Sequence, residues 1–92
     1  MTIPPLDLGR TFDHHPGRNG RRDIDYARLA REYVDLVKQG EHPLRGLVAE
    51  YGSTATRWSN RVSEARKRGV ITGSRGTARL TDYARNLLGA QQ

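Results

Sequence analysis

Arg57, Asn60 and Arg61 fall within five residues of sequence, with Thr54, Thr56, Ser59, Ser63 and Lys67 close around them. A guanidinium can pair with O6 and N7 of guanine and a carboxamide with N6 and N7 of adenine, each bidentate pairing giving about 1–3 kcal/mol of discrimination. Hydroxyl and ammonium groups suit phosphate and sugar oxygens, which fix register without carrying sequence information. A second group follows at Ser74, Arg75 and Arg79, with Gly73 and Gly76 on either side of the Ser-Arg pair. These types and spacings suit contact with a polyanion, provided that a helix turns the first group outward and a hairpin presents the second.

The charge distribution agrees. Residues 1–52 hold eight Lys/Arg and eight Asp/Glu, whereas residues 53–92 hold eight Lys/Arg against only Glu64 and Asp82. The whole net charge of +6 therefore follows Gly52. Clustered cations raise the local potential that attracts phosphate. Taken singly, Arg57, Arg61, Arg66 or Arg68 reads equally well as a solvated surface residue; taken with the turn and hairpin below, the cluster favours nucleic acid.

Other chemistries find little support. The chain has no cysteine, so disulfides, thiolate zinc sites and thiol nucleophiles are excluded. Asp13-His14-His15 and His42 make the one metal-like group, but adjacent histidines in a Pro/Gly-rich stretch lack a third fixed ligand. His42, just before Pro43, reads instead as a helix entry. Ser53, Ser59, Ser63 and Ser74 have no histidine at a nearby helical spacing. Neither metal, cofactor nor catalysis is expected. At 92 residues, 35% hydrophobic and 28% charged, the chain suits one lean helical domain rather than a large sheet. No apolar run approaches the roughly 18 residues that a membrane span requires, and the start Met1-Thr2-Ile3-Pro4-Pro5 lacks a secretory pattern. A soluble, cytoplasmic protein is expected, on the nucleoid or in a host cytoplasm if phage-encoded.

The elements that must position these residues can be read from period and caps. Residues 1–22 hold no period and are rich in proline and glycine, predicting a flexible arm in which Ile3, Leu6, Leu8 or Phe12 pins onto the domain. Arg18, Arg21 and Arg22 give that arm a basic end suited to phosphate. The domain proper is expected over residues 23–92. Asp23 is the predicted cap of a first helix running to Gln39, with Ile24, Ala27, Leu29 or Ala30, Tyr33, Val34 and Val37 inward and Gly40 as the stop. Pro43 opens a second helix whose short apolar face is Leu44, Leu47, Val48 and Tyr51, ending at Gly52. Ser53 or Thr54 caps a third helix with Ala55, Trp58, Val62 and Ala65 buried and Gly69 as terminator. Strands at 70–72 and 77–80 flank a Gly73-Ser74-Arg75-Gly76 loop. Thr81 then caps a last helix with Ala84, Leu87 and Leu88 inward, ended by Gly89.

At about 100° per residue, the buried stripe of the third helix lies opposite Thr56, Asn60, Ser63 and Lys67. Thr54, Arg57 and Arg61 flank one side of that face, and Ser59 and Arg66 the other. The pattern Leu47-Val48-Ala49-Glu50-Tyr51-Gly52, with Trp58 six residues on, has the form of a helix-turn-helix. Arg75 at a glycine-flanked tip and Arg79 on the returning strand suit a minor groove or backbone.

Three segments together carry a family resemblance: Leu47 to Gly52, Arg61 to Ile71 (Arg-Val-Ser-Glu-Ala-Arg-Lys-Arg-Gly-Val-Ile), and Gly76 through Thr81-Asp82-Tyr83-Ala84-Arg85-Asn86-Leu87-Leu88-Gly89. Over about Ile24 to Gly89 the chain resembles the small winged helix-turn-helix DNA-binding proteins of actinobacteria and their phages. It departs from them at Ser53, where an aliphatic residue usually follows the turn glycine, and at Arg61, where an apolar residue is common. The resemblance implies a mainly α fold of three helices, a β-hairpin wing and a C-terminal helix, with the third helix reading DNA. The expectation is a non-enzymatic double-stranded DNA-binding protein, a transcription regulator or phage control protein such as a repressor, Cro-like factor or excision accessory protein. The expected contacts are Thr54, Thr56, Arg57, Ser59, Asn60, Arg61, Ser63, Lys67, Ser74, Arg75 and Arg79. Tyr83, Leu87 and Leu88 on the C-terminal helix serve the core or a homodimer interface. The rival readings are a protein-docking module and a binder of structured RNA.

Overall fold

The computed structural model describes Phe12, residues 22–74 and residues 76–90. Among residues 22–90 as described, four helices, α1 (Asp23–Lys38), α2 (Pro43–Tyr51), α3 (Ala55–Lys67) and α4 (Asp82–Ala90), are joined by one antiparallel pair, β1 (Ile71–Thr72) and β2 (Arg79–Leu80), between α3 and α4. The fold is mainly helical with a small two-stranded sheet.

Local chemistry explains most boundaries. The cap of α1 is Arg22 rather than Asp23, because the Asp25 carboxylate reaches back to accept from the Arg22 amide at 3.0 Å and Asp23 already has helical geometry. Gly40, at φ +75°, ends α1: its amide donates to the Val37 carbonyl and that of Glu41 to the Leu36 carbonyl. Pro43 occupies the first turn of α2 as expected, and the Nδ1 of His42 accepts from the Arg45 amide. Of the two candidate caps for α3, Thr54 is used, its Oγ1 accepting from the Arg57 amide at 3.2 Å. Gly69 repeats the Gly40 arrangement at the other end of α3. Thr81 Oγ1 accepts from the Ala84 amide and donates to the Gly69 carbonyl, so one hydroxyl starts α4 and ties it to the end of α3. The last helix runs through Gly89 to Ala90, one residue beyond the expected stop.

Helix α1 is the central element, packed against α2, α3, α4 and β2. Its buried residues are Ile24, Tyr26, Ala27, Leu29, Ala30, Tyr33 and Val34; the expected Val37 is half-buried. Trp58, Val62 and Ala65 of α3 and Ala84 of α4 close the core, with Leu87 and Leu88 packed against its edge. Ala55, expected in the α3 stripe, is exposed together with Thr54, Thr56 and Arg57. Wheel angle alone misassigns it. Phe12 is fully buried against Tyr26 and Trp58, at ring separations of 5.3 and 5.8 Å. The core thus takes Phe12 from the stretch read as an arm; Ile3, Leu6, Leu8, Arg18, Arg21 and the Asp13-His14-His15 group lie outside the described residues.

The hairpin is shorter in its strands and longer in its loop than the residue types suggest. Pairing is limited to Ile71 with Leu80 and Thr72 with Arg79. Thr77, expected in the second strand, instead closes the loop: its Oγ1 accepts from the Ser74 amide at 3.2 Å and its amide donates to the Ser74 carbonyl. A threonine hydroxyl that satisfies local backbone competes with ladder pairing, which ends the strand early.

Candidate nucleic-acid interface

The turn between α2 and α3 sets the pose of α3. Gly52 and Ser53 both take positive φ, +82° and +69°, a sharper reversal than the glycine alone predicts. Trp58 Nε1 donates to the Gly52 carbonyl at 2.7 Å, so the largest core side chain also fixes the turn that precedes its helix. With Trp58, Val62 and Ala65 inward, Thr56, Asn60, Ser63 and Lys67 form one exposed row along the opposite side. Those four lie where the wheel predicts. Arg57 and Ser59 are exposed beside them, while the Thr54 hydroxyl serves as the helix cap.

The basic residues divide in a way that charge counting does not reveal. The Arg61 guanidinium lies 4.6 Å from the Trp58 ring centre and 5.3 Å from that of Phe12, and its Nη2 donates to the Phe12 carbonyl at 3.3 Å. A planar, weakly hydrated cation stacks well on aromatic faces, and docking of Phe12 supplies both a ring and an acceptor. This withdraws Arg61 from the flank of the outward row, where a contact to DNA was expected of it. Arg66 donates to the Gly73 carbonyl at 2.5 Å, linking α3 to the root of the hairpin loop. Arg68 bonds Glu64 at 3.1 Å and Asp23 at 3.0 Å while lying over the Tyr26 ring. Arg85 pairs with Asp82 at 2.6 Å. Arg57, Lys67 and Arg79 are exposed, and their side chains make no hydrogen bond or ion pair to the described residues. Arg75 lies outside the described residues, and its neighbour Ser74 is exposed but engaged with Thr77 through both backbone and hydroxyl.

Arg68 belongs to a node joining three helices. Tyr83 Oη donates to Asp23 Oδ2, and Arg68 holds the other carboxylate oxygen. The Tyr83 hydrogen bond, supported by Arg68, keeps the Asp23 carboxyl below the ordinary carboxylate value, while the same bond pushes the Tyr83 phenol up. A depressed carboxyl contributes stability that is fully present above the unfolded value of about pH 4 and is lost as pH falls through the folded value. Asp23→Asn is therefore expected to lower the melting temperature at neutral pH, with the gap to the parent narrowing below about pH 4. Circular-dichroism melts across pH check this, and a gap that stays constant to pH 2 overturns it. Tyr83 is also the one large apolar side chain exposed among the described residues.

An open groove of about 240 Å³ runs beside α3, lined by Tyr33, Leu44, Ser59, Val62, Ser63 and Arg66. Periodicity identifies Tyr33 and Leu44 only as core residues. Their place in the groove depends on the angle at which α1 and α2 meet α3, which no local pattern encodes.

No protein-family model, curated protein or solved structure matches this chain.

Proposed function

We propose that this protein binds double-stranded DNA as a winged helix-turn-helix domain. In this reading α2, the turn 52–54 and α3 form the helix-turn-helix, and the hairpin at 71–80 is the wing. Its resemblance to the small actinobacterial and phage DNA-binding proteins points to a transcription regulator or phage control protein. The observation that carries the reading is the unbroken exposed row Thr56, Asn60, Ser63 and Lys67 on a helix whose opposite side is committed to the core.

The roles divide by chemistry. Asn60, at the middle of the row, pairs with adenine, and Arg57 beside it pairs with guanine or a phosphate. Thr56 and Ser63 add single hydrogen bonds. Lys67 and Arg79 neutralise phosphates, joined by Arg75 from the wing. The row from Thr56 to Lys67 is about 16 Å long, the reach of about five base pairs along the duplex.

Selection from random duplex DNA is expected to recover a preferred core of about five pairs, duplicated if two copies bind. With Arg57, Lys67, Arg75 and Arg79 as the phosphate-facing cations, affinity is expected to fall about a hundredfold between 50 and 200 mM salt, at a log–log slope of about −3.6. Affinity that stays flat with salt, preference for duplex RNA, or no nucleic-acid binding at low salt overturns the reading.

A further inference from the structure

The groove beside α3 combines groups that suit one ligand class. Three hydroxyl-bearing residues and one guanidinium meet there: Tyr33 from α1, and Ser59, Ser63 and Arg66 from α3. Leu44 of α2 and Val62 of α3 supply the apolar part of the lining. Tyr33 is only 4% exposed, lines the groove, and has no side-chain hydrogen bond to a described residue. Arg66 is anchored by one N–H to the Gly73 carbonyl. A guanidinium carries five N–H donors in a rigid fork, so anchoring through one orients the others.

We infer that this groove is a seat for one backbone phosphodiester of duplex DNA. The non-bridging oxygens accept from Arg66 and from the hydroxyls of Tyr33, Ser59 and Ser63, and the adjoining deoxyribose lies on Leu44 and Val62. The inference rests on the duplex-binding reading above and adds to it a fixed phosphate position. A strand passing here lies along the flank of α3, beside the row Thr56, Asn60, Ser63 and Lys67. A phosphate held by several donors at that flank sets how deep and in what register the row enters the major groove. Ser59 and Ser63 accordingly hold backbone rather than read bases, and Arg66 positions the wing and grips the phosphate together.

A methylphosphonate scan tests the seat. Single phosphates of the duplex recovered by selection are replaced in turn by neutral methylphosphonates, and affinity is measured for the parent, Tyr33→Phe and the double variant Ser59→Ala/Ser63→Ala. These substitutions leave the Arg66–Gly73 bond in place, and a melting curve verifies that each variant is folded. The parent is expected to lose about tenfold or more at one phosphate, as the loss of charge-assisted hydrogen bonds implies. Each variant should bind the unmodified duplex about three- to tenfold more weakly and lose little further at that same phosphate. If the parent and both variants give the same methylphosphonate profile while still binding duplex, the seat is wrong and the duplex-binding reading stands. If no duplex is bound by the parent, both fall together.

Discussion

Trp58→Ala is expected to destabilise the domain by about 3–5 kcal/mol, a large share of the roughly 5–14 kcal/mol available to a chain of this length. Trp58 is fully buried, touches the rings of Phe12 and Tyr51, and lies beneath the Arg61 guanidinium. Its indole N–H also satisfies the Gly52 carbonyl in a turn where Ser53, a non-glycine residue, is held at positive φ. Alanine therefore leaves a cavity, removes the platform on which Phe12 and Arg61 stack, and releases a strained turn. Trp58→Phe keeps much of the volume but not the hydrogen bond, and should cost about 1–2 kcal/mol. Thermal and denaturant unfolding measure both. A loss below about 1 kcal/mol in the alanine variant would show that the two helices keep their relation without the indole.

Gly73→Ala is expected to disrupt the hairpin. Gly73 sits at φ +87°, and a Cβ added there would lie 2.5 Å from the Thr77 carbonyl oxygen and 3.1 Å from its carbon. Neither is a side-chain end that can swing away, so the loop itself must open. The left-handed backbone adds about 1–2 kcal/mol for a residue with a side chain. Opening also breaks the bond between Arg66 and the Gly73 carbonyl, which ties the loop to α3. A loss of about 2–3 kcal/mol is expected, concentrated at the hairpin. Faster amide exchange at Thr72 and Arg79, whose N–H groups face the partner strand, with little change in the middle of α1, reports that pattern. Gly76→Ala serves as the control, because a Cβ there meets nothing within 4 Å. Equal effects from the two substitutions would remove the steric account.

On the proposed duplex-binding reading, the same contacts bear on how the hairpin would take part. Its loop is closed by Ser74 and Thr77 and its root is held by Arg66 from the helix that carries the exposed row. A rigid spacing between that row and the loop favours simultaneous engagement of one duplex, since less ordering is left to occur on binding. Gly73→Ala should therefore weaken duplex binding more than Gly76→Ala does.

Most of the secondary structure was legible in the chain because its signals are local. Pro43 fixes the first turn of its own helix, Thr54, Thr81, Gly40 and Gly69 mark bonds to backbone groups three to five residues away, and these stops and starts appear where the residue types place them. The outward row Thr56, Asn60, Ser63 and Lys67 was equally legible, since the helical period and one buried tryptophan fix the opposite side. Less legible were Ala55, which is exposed although its wheel angle falls in the buried stripe, and Thr77, which bonds Ser74 rather than extending a strand.

The sequence by itself determined the helix order, the caps at Thr54 and Thr81 to within a residue, and the cationic excess after Gly52. Tertiary structure alone decided which cations that excess offers to a partner. Arg61 reaches Phe12 across 49 positions and Arg68 reaches Asp23 across 45. An arginine head sits at the end of a long stem, so its partner is chosen by whichever carbonyl, carboxylate or ring the packed helices bring near. Arg61 and Arg68 are drawn into the protein's own contacts in this way, Arg66 gives one N–H to the hairpin and Arg85 pairs locally with Asp82, whereas Arg57, Lys67 and Arg79 remain turned outward. Charge is a property of composition, but its availability depends on three-dimensional neighbours.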